Sequence, residues 1–215
     1  MALAGATGLV GEACLRLLAA DARTQEILVL LRRPAVLAHP KLQALLVDFA
    51  RLEATAPGRL DAAISTLGTT MAKAGSKPAF RAVDHDAVVA FAAWAKAAGA
   101  TRFVLVSSVG ADVRARSFYL KVKGEVEQSV LALGFSSVVA LRPGVLLGAR
   151  RERRVGEAVA QRVLSVLGPL LVGSLARYRA VAAAKVAEAA VRAALEDGTP
   201  PGLSVWENPS ILATT

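Results

Sequence analysis

The stretch MALAGATGLVGEACLRLLAA, residues 1–20, decides the fold. A short apolar run, Ala2–Ala4, leads into three glycines with the spacing Gly5-x-x-Gly8-x-x-Gly11, and the segment Leu9–Ala20 has the apolar period of a helix. Strand, glycine turn and helix in this order are typical of a dinucleotide-binding unit. The first glycine permits the tight turn, the second lets a pyrophosphate approach, and the third lets the helix pack on the strand. The unpaired amides and positive dipole end of the helix would face the phosphates.

Downstream of this turn, short apolar runs alternate with helix-period segments. Helices are predicted at 87–100 and 180–194, and further strands at 26–31, 44–48, 62–66, 103–107, 138–141 and 203–206. Parallel strands are joined by crossover connections, usually helices, that pack on a face of the sheet. The alternation of strands and helices therefore predicts a Rossmann-type, doubly wound parallel α/β sheet with helices on both faces. With no linker in the sequence, residues 1–215 are predicted to form one NAD(P)-binding domain. Beyond Arg142 the alternation stops, which predicts a mostly helical C-terminal extension, 149–215, on the substrate side.

Composition indicates a globular protein, with 54% hydrophobic and 20% charged residues. Cys14 is the only cysteine, which excludes an intramolecular disulfide and a thiolate zinc site and fits a reducing compartment. The chain reaches its glycine turn with no room for a secretory signal, so we expect a cytoplasmic protein. His39 and His85 are too few and too scattered to predict a metal site.

The net charge of +9 raises the question of a nucleic-acid partner. Only 5% of the residues are aromatic and the arginines are dispersed, so no nucleic-acid partner is predicted. The apolar stretch 163–175 is too short to span a bilayer, which needs about 20 residues. A peripheral membrane contact stays open because arginines flank this stretch, and a homodimer stays open as well. The flanking residues are Arg150, Arg151, Arg153, Arg154, Arg177 and Arg179.

The end of the second predicted strand indicates which dinucleotide binds. An acidic residue there would hold the ribose 2′-hydroxyl of NAD, but Arg32 and Arg33 stand there instead. A guanidinium suits a 2′-phosphate, so NADP is the predicted cofactor. Asp48 and Phe49, at the end of the third predicted strand, fall where the adenine ring is flanked, although Asp48 could equally be a helix cap.

A candidate catalytic set follows the fifth predicted strand. Ser108 lies near its end, and Tyr119 and Lys123 follow with the spacing Tyr-x-x-x-Lys, which puts both side chains on one face of a helix. Reduction of a carbonyl needs a proton donor, and Tyr119 would serve if the charge of Lys123 stabilises its phenolate. Ser108 would orient the substrate oxygen, with Ser107 as the alternative. Lys121 has the wrong helical phase, and Glu125 and Glu127 are predicted to form a solvated acidic face.

At this point the sequence resembles the atypical short-chain dehydrogenases/reductases of the Tat-interacting-protein type and their bacterial relatives. The order and spacing of six segments carry the resemblance over nearly the whole chain. They are GATGLVGE (5–12), LGTTMAKAGS (67–76), FRAVDHD (80–86), VSSVGAD (106–112), FYLKVKGEVE (118–127) and LRPGVLLG (141–148).

The resemblance implies a role for several groups of residues. Three parts of the dinucleotide would be bound by separate segments, and Ser108, Tyr119 and Lys123 would form the reductase triad. The pyrophosphate would lie against Gly5, Thr7, Gly8, Leu9 and Val10, the adenosine ribose against Leu67 and Gly68, the 2′-phosphate against Arg32 and Arg33, and the nicotinamide carboxamide against Pro143, Gly144 and Val145. Lys123 would also hold the nicotinamide ribose.

Three functions fit these patterns. The first is an NADP(H)-dependent reductase or dehydrogenase acting on a small carbonyl or alcohol substrate. The second is an NADP(H)-responsive binding protein without significant turnover, in which the basic segment from Arg150 to Arg179 meets a partner. The third is an isomerase or lyase that retains its nucleotide. The loop 69–78 could fold over a substrate or be an ordinary surface connection.

Overall fold

The architecture is a seven-stranded parallel sheet covered by helices, seen in a computed structural model that describes residues 1–54, 58–147, 173–196 and 198–213. The strand order is β3-β2-β1-β4-β5-β6-β9, and every neighbouring pair is parallel. The order reverses between β1 and β4, which opens a crevice at the carboxyl ends of these strands. The predicted Rossmann-type fold is confirmed.

The strands of this sheet are short and mostly apolar. They are β1 (Ala2–Ala4), β2 (Ile27–Leu31), β3 (Leu42–Leu46), β4 (Ala62–Ser65), β5 (Arg102–Val106), β6 (Ser137–Arg142) and β9 (Gly202–Glu207). A separate parallel pair joins β7 (Leu146–Leu147) to β8 (Val181–Ala182).

The helices connect these strands. They are α1 (Leu9–Ala20), α2 (Met71–Ala74), α3 (Lys77–Arg81), α4 (Ala87–Ala97), α5 (Phe118–Leu131), α6 (Ala183–Leu195) and α7 (Asn208–Leu212), with short 3₁₀ segments at Phe49–Ala54 and Gly173–Tyr178. Between α3 and α4, residues Ala82–Asp86 form a π-helical turn, a local widening that is frequent at functional sites. No helix in the described ranges has the length and apolarity to cross a membrane.

Apolar side chains project from both faces of the sheet, because successive side chains of a strand point in opposite directions. Val104 and Val139 belong to the core that α1 and α6 cover. Phe103 and Val138, each one residue earlier, belong to the core that α4 and α5 cover. Burial on both faces explains why these strands read as continuous apolar runs.

Two predictions of the sequence need correction in the structure. The third strand covers Leu42–Leu46 instead of 44–48, so Asp48 lies beyond its end. The alternation also continues after Arg142, since α6 packs on the sheet beside α1 and β9 pairs with β6. β9 completes the sheet, and α6 covers part of one face. The placement of the extension 149–215 on the substrate side stays a prediction. Residues 148–172 lie outside the described part of the chain, and they include Arg150, Arg151, Arg153 and Arg154.

Candidate functional site

A cleft of about 1120 Å³ lies at the carboxyl edge of the sheet, where the order of strands reverses. Its walls come from the glycine turn, the segment after β2, the loop after β4, the end of β5, and α5. Its lining residues are Ala6, Thr7, Gly8, Leu9, Val10, Glu12, Pro34, Ala35, Val36, Leu37, Thr66, Leu67, Gly68, Thr69, Thr70, Lys73, Asp84, Val106, Ser107, Tyr119, Lys123 and Leu146. One cleft therefore joins the predicted phosphate turn to two of the three predicted catalytic residues.

The glycine turn has the close packing that the motif requires. Gly5 has a φ of 89°, a left-handed conformation that favours glycine. A Cβ on Gly11 would lie 2.1 Å from the carbonyl oxygen of Gly5, so the turn and α1 can meet only when this residue has no side chain. No side chain caps the amino end of α1 at Gly8. The first amides of the helix are therefore available to an anion in the cleft.

The predicted 2′-phosphate residues lie beside the cleft. Arg32 and Arg33 follow the last residue of β2 and are exposed, and the next residues, Pro34 to Leu37, line the cleft. The two guanidinium groups could thus approach an anion at this end of the cleft.

Asp48 and Phe49 do not line the cleft. The carboxylate of Asp48 accepts a hydrogen bond of 3.0 Å from the amide of Ala50, which is the local capping role that the sequence also allowed. The ring of Phe49 is buried in the core beneath α4. The adenine contact of Asp48 and Phe49 stays a prediction.

The segment Pro143, Gly144 and Val145 is also outside the cleft lining. The amide of Gly144 donates to Asn208 Oδ1 at 3.0 Å, and a Cβ on Gly144 would lie 2.4 Å from the carbonyl oxygen of Arg179. These contacts fix the end of β6 against the chain's C-terminal part. Leu146 is the nearest following residue that lines the cleft. The contact of this segment with a nicotinamide carboxamide stays a prediction.

Helix α5 presents Tyr119 and Lys123 to the cleft from successive turns, as their spacing predicted. The ring of Tyr119 packs against the buried ring of Phe80, with their centroids 5.6 Å apart. Lys121 is exposed, which agrees with its predicted helical phase. Phe80 thereby positions the tyrosine ring from the side of α3.

Lys123 has a partner that sequence reasoning missed. Its Nζ lies 2.7 Å from Asp84 Oδ1, and both side chains are buried. The other oxygen of Asp84 accepts a 2.7 Å hydrogen bond from the amide of Thr69. Asp84 is on the π-helical turn between α3 and α4. The ammonium group of Lys123 is consequently fixed at the cleft wall by a carboxylate that also holds the loop after β4.

A second buried carboxylate lies behind the serine that follows β5. Glu127 is 1% exposed, contrary to the prediction of a solvated acidic face. It accepts a 2.5 Å hydrogen bond from Ser107 Oγ and is paired with Arg142, whose pKa it raises above the ordinary value by hydrogen bonding. Glu125, the other residue of that predicted face, is half-buried and pairs with Arg81.

The two adjacent serines differ in position. Ser107 lines the cleft beside Tyr119 and Lys123, whereas Ser108 is not among the lining residues. Ser108 Oγ lies 3.4 Å from the carbonyl oxygen of Val109, too far for a strong hydrogen bond. The hydroxyl of Ser107, however, donates to Glu127, which is outside the cleft lining, so the choice between Ser108 and its alternative Ser107 stays a prediction.

Signals for the missed residues were present in the sequence but weak. Glu127 lies one helical turn beyond Lys123 and two beyond Tyr119, so all three occupy one stripe of α5. Asp84 belongs to the segment FRAVDHD, in which a second aspartate, Asp86, is exposed. Spacing alone does not distinguish the buried carboxylate from the solvated one.

The fold and the cleft define a protein that binds a nicotinamide dinucleotide. A family model described as NAD(P)H-binding matches residues 5–197, and the chain belongs to this family.

Its relatives among curated proteins are of the Tat-interacting-protein type, as the motifs indicated. Protein FMP52 of Coccidioides immitis is 37% identical over 209 residues, covering 90% of this chain and 85% of the relative. Protein HTATIP2 of Rattus norvegicus is 36% identical over 216 residues, covering 97% of this chain and 86% of the relative.

Solved structures share the fold at low identity. WbmH of Bordetella bronchiseptica, in complex with NAD⁺, has a TM-score of 0.68 and 16% identity, and covers 96% of this chain and 75% of its own. MoeE5 in complex with UDP-glucose and NAD has a TM-score of 0.66, also at 16% identity, with the same coverage.

The relatives overturn one prediction. FMP52 proteins of Coccidioides immitis, Emericella nidulans, Eremothecium gossypii and Candida albicans are all named as mitochondrial. The cytoplasmic location predicted from the single cysteine and the early glycine turn is therefore wrong by the evidence of these relatives. Both sequence features fit a cytoplasmic protein but do not distinguish it from one that works in another reducing compartment.

Proposed function

We propose that this protein is an NADP(H)-dependent oxidoreductase that interconverts a small carbonyl compound and its alcohol. One observation carries the proposal: the cleft that begins at the glycine turn ends at Tyr119 and Lys123. A dinucleotide laid along that cleft would bring its reactive end to a proton donor.

The residues present fit such a cofactor. The volume of about 1120 Å³ lies just above the range of ordinary ligand pockets, about 300–1000 Å³, as an extended dinucleotide needs. Among the residues that the structure describes, a Cβ on Gly8 would meet only the carbonyl oxygen of Gly5, at 3.3 Å, so the backbone there is open to a ligand. The amino end of α1 supplies amides and a positive dipole end for the pyrophosphate. Thr7, Gly8, Leu9 and Val10 would hold it.

The preference for NADP over NAD rests on Arg32 and Arg33. Both are exposed beside the cleft, and the described part of the cleft lining has no acidic residue from the segment that follows β2. We expect the double variant Arg32→Ala/Arg33→Ala to bind NADP⁺ about 10-fold to 100-fold more weakly, since hydrogen bonds to a charged group contribute about 1.5–3 kcal/mol. Its affinity for NAD⁺ should change little.

The chain's own residues would supply the proton and the orientation. When bound, the cofactor would supply or accept a hydride at the substrate carbon. Tyr119 would give its phenolic proton to the carbonyl oxygen, or take the proton from the alcohol in the reverse direction. Lys123, held by Asp84, would place a positive charge near that oxygen. Ser108, with Ser107 as the alternative, would orient the substrate oxygen.

The test is the variant Tyr119→Phe, assayed by the absorbance of NADPH against a panel of small ketones and aldehydes. We expect turnover to fall by a factor of about 10² or more, the usual contribution of general acid catalysis, with NADPH binding retained. Tyr178, the other tyrosine, lies on the segment Gly173–Tyr178 outside the cleft lining, so Tyr178→Phe is the matched control. Unchanged turnover in Tyr119→Phe would rule out the mechanism.

A binding protein without turnover is the second candidate, because the names FMP52 and HTATIP2 describe no reaction. It predicts that NADPH binds with the same cleft contacts while no carbonyl in the panel is reduced. Tight NADPH binding together with turnover that depends on Tyr119 would exclude it.

A further inference from the structure

The loop that follows β4 passes directly over the buried pair of Asp84 and Lys123. The amide of Thr69 donates a 2.7 Å hydrogen bond to Asp84 Oδ2, and a Cβ on Gly68 would lie 3.9 Å from Lys123 Nζ. Lys123 and Tyr119 line the cleft from successive turns of α5. The loop is therefore fixed at the end of the cleft where the proton transfer of the proposed function takes place.

Helix α2 begins directly after this loop and brings Lys73 to the same end of the cleft. Thr70 caps the helix, and its side-chain oxygen accepts a 3.2 Å hydrogen bond from the amide of Lys73. Lys73 thus lies less than one turn, or about 5 Å of helix axis, beyond the cap. Lys73 is exposed and lines the cleft. Because a lysine has a flexible stem of four carbons, its ammonium group can approach a ligand at this end.

The segment that carries Lys73 is uniformly basic. The loop after β4 and the helices α2 and α3 contain three basic residues and no acidic one. Lys77 lies over the ring of Phe118, 5.4 Å from its centroid, and Arg81 pairs with Glu125, and neither of these two basic residues lines the cleft. Lys73 is the basic residue of this segment that lines the cleft.

We propose that Lys73 binds an anionic group of the substrate, a carboxylate or a phosphate, and so makes negatively charged carbonyl compounds the preferred substrates. Asp84 and Lys123 offset each other's charge, so this pair adds no net charge to the end of the cleft. Lys73 adds a positive charge there, and an ammonium group with three donors suits either anion. This inference rests on the proposed function and adds to it the charge of the substrate.

Two matched pairs of ketones test the preference for an anion. Pyruvate is compared with methyl pyruvate, and 2-oxopropylphosphonate, which stands for a phosphate, with its dimethyl ester. Their dissociation constants are measured with saturating NADP⁺, so that no ketone is reduced. At an ionic strength of about 20 mM we expect at least one anion to bind about 5-fold more tightly than its neutral ester. The preference should decrease at about 0.5 M salt, because the pair is open to solvent. The ketone pair that shows the preference identifies the anion as carboxylate or phosphate.

Variants assign the preference to Lys73. In Lys73→Ala each anion and its ester should bind equally within about twofold, while Lys73→Arg, which keeps the positive charge, should retain the preference. Lys121 is exposed on α5 and is not among the lining residues, so Lys121→Ala is the matched control and should leave the preference unchanged. The affinity for NADP⁺ should stay within about twofold in all three variants.

The outcomes distinguish this inference from the proposed function. If NADP⁺ does not bind to the unaltered protein, the proposed function fails. If NADP⁺ binds but neither anion shows saturable binding or a preference over its ester, the role of Lys73 alone fails. It also fails if the preference persists in Lys73→Ala. A loss of NADP⁺ affinity in Lys73→Ala would mean that Lys73 binds a phosphate of the cofactor, and would overturn the inference.

Discussion

Replacement of Gly8 by alanine should separate nucleotide binding from folding. The backbone of Gly8 has φ −86° and ψ 166°, an extended conformation open to any residue. In the described part of the chain its Cβ would meet one atom within 4 Å, the carbonyl oxygen of Gly5 at 3.3 Å. An alanine at the amino-terminal cap of a helix costs about 1 kcal/mol relative to favoured caps. The free energy of unfolding should therefore fall by no more than about 1 kcal/mol.

The same methyl group would occupy space at the cleft wall where a pyrophosphate must approach the backbone. Loss of one hydrogen bond to a charged oxygen amounts to about 1.5–3 kcal/mol, so NADPH should bind about 10-fold to 100-fold more weakly. Binding is measured by the rise in NADPH fluorescence, and stability by urea unfolding of the same preparation.

Gly11→Ala, unlike Gly8→Ala, should destabilise the fold itself. Its Cβ would lie 2.1 Å from the carbonyl oxygen of Gly5 and 2.6 Å from Thr66 Oγ1, so the backbone itself would have to move. Overpacking of this kind costs about 1–3 kcal/mol, occasionally more, and here the main-chain overlap places it at the upper end. If Gly8→Ala binds NADPH as well as the unaltered protein, the pyrophosphate does not lie against this turn and the reasoning is refuted.

Three further predictions concern the buried pair, the packing of α5 and the cysteine. Asp84→Asn should lower the free energy of unfolding by about 3 kcal/mol, because Lys123 is then buried without its charged partner. The double variant Asp84→Asn/Lys123→Met should recover most of this loss. Asp86 is exposed, so Asp86→Asn should change the free energy of unfolding little. Gly124→Ala should cost about 1–3 kcal/mol in urea unfolding, since its Cβ would lie 2.4 Å from the backbone carbon of Asp112. Gly58→Ala, whose Cβ would meet nothing within 4 Å among the described residues, should be nearly neutral. Burial raises the pKa of Cys14 to about 12, so iodoacetamide should label it at pH 8 only after unfolding. An unfolded thiol ionises near pH 8.5, so this group should also make the protein less stable as the pH rises from about 9 toward 12.

The fold was predictable because the pattern is strongly local. A glycine turn between a strand and a helix, followed by apolar runs that alternate with helical segments, has few solutions other than a doubly wound parallel sheet. The bounds of α1 agree with the prediction residue for residue. β9 was seen as a strand, but its pairing with β6 was not predicted, because pairing is a relation across a long connection that no local pattern encodes.

The site was predictable only where its residues share an element or a motif. Tyr119 and Lys123 lie one turn apart on one helix, so their joint position follows from helical geometry. Asp84 and Lys123 lie on different elements, and only the packing of α5 against the π-helical turn brings them together. The choice between Ser107 and Ser108 likewise depends on which hydroxyl faces the cleft, and adjacent residues at a strand end cannot be ranked from sequence.

The packing of α6 against α1 has a consequence for the order of folding. Cys14 and Leu18 of α1 and Val186 and Ala190 of α6 belong to one buried cluster, although they lie at opposite ends of the chain. During synthesis the first helix emerges early, but its apolar face is covered only after the last long helix has left the ribosome. Contacts of such large sequence separation fold slowly, so a chain truncated before α6 should be prone to aggregation. The glycine turn, which precedes α1 in the sequence, is thus among the last parts of the molecule to be secured.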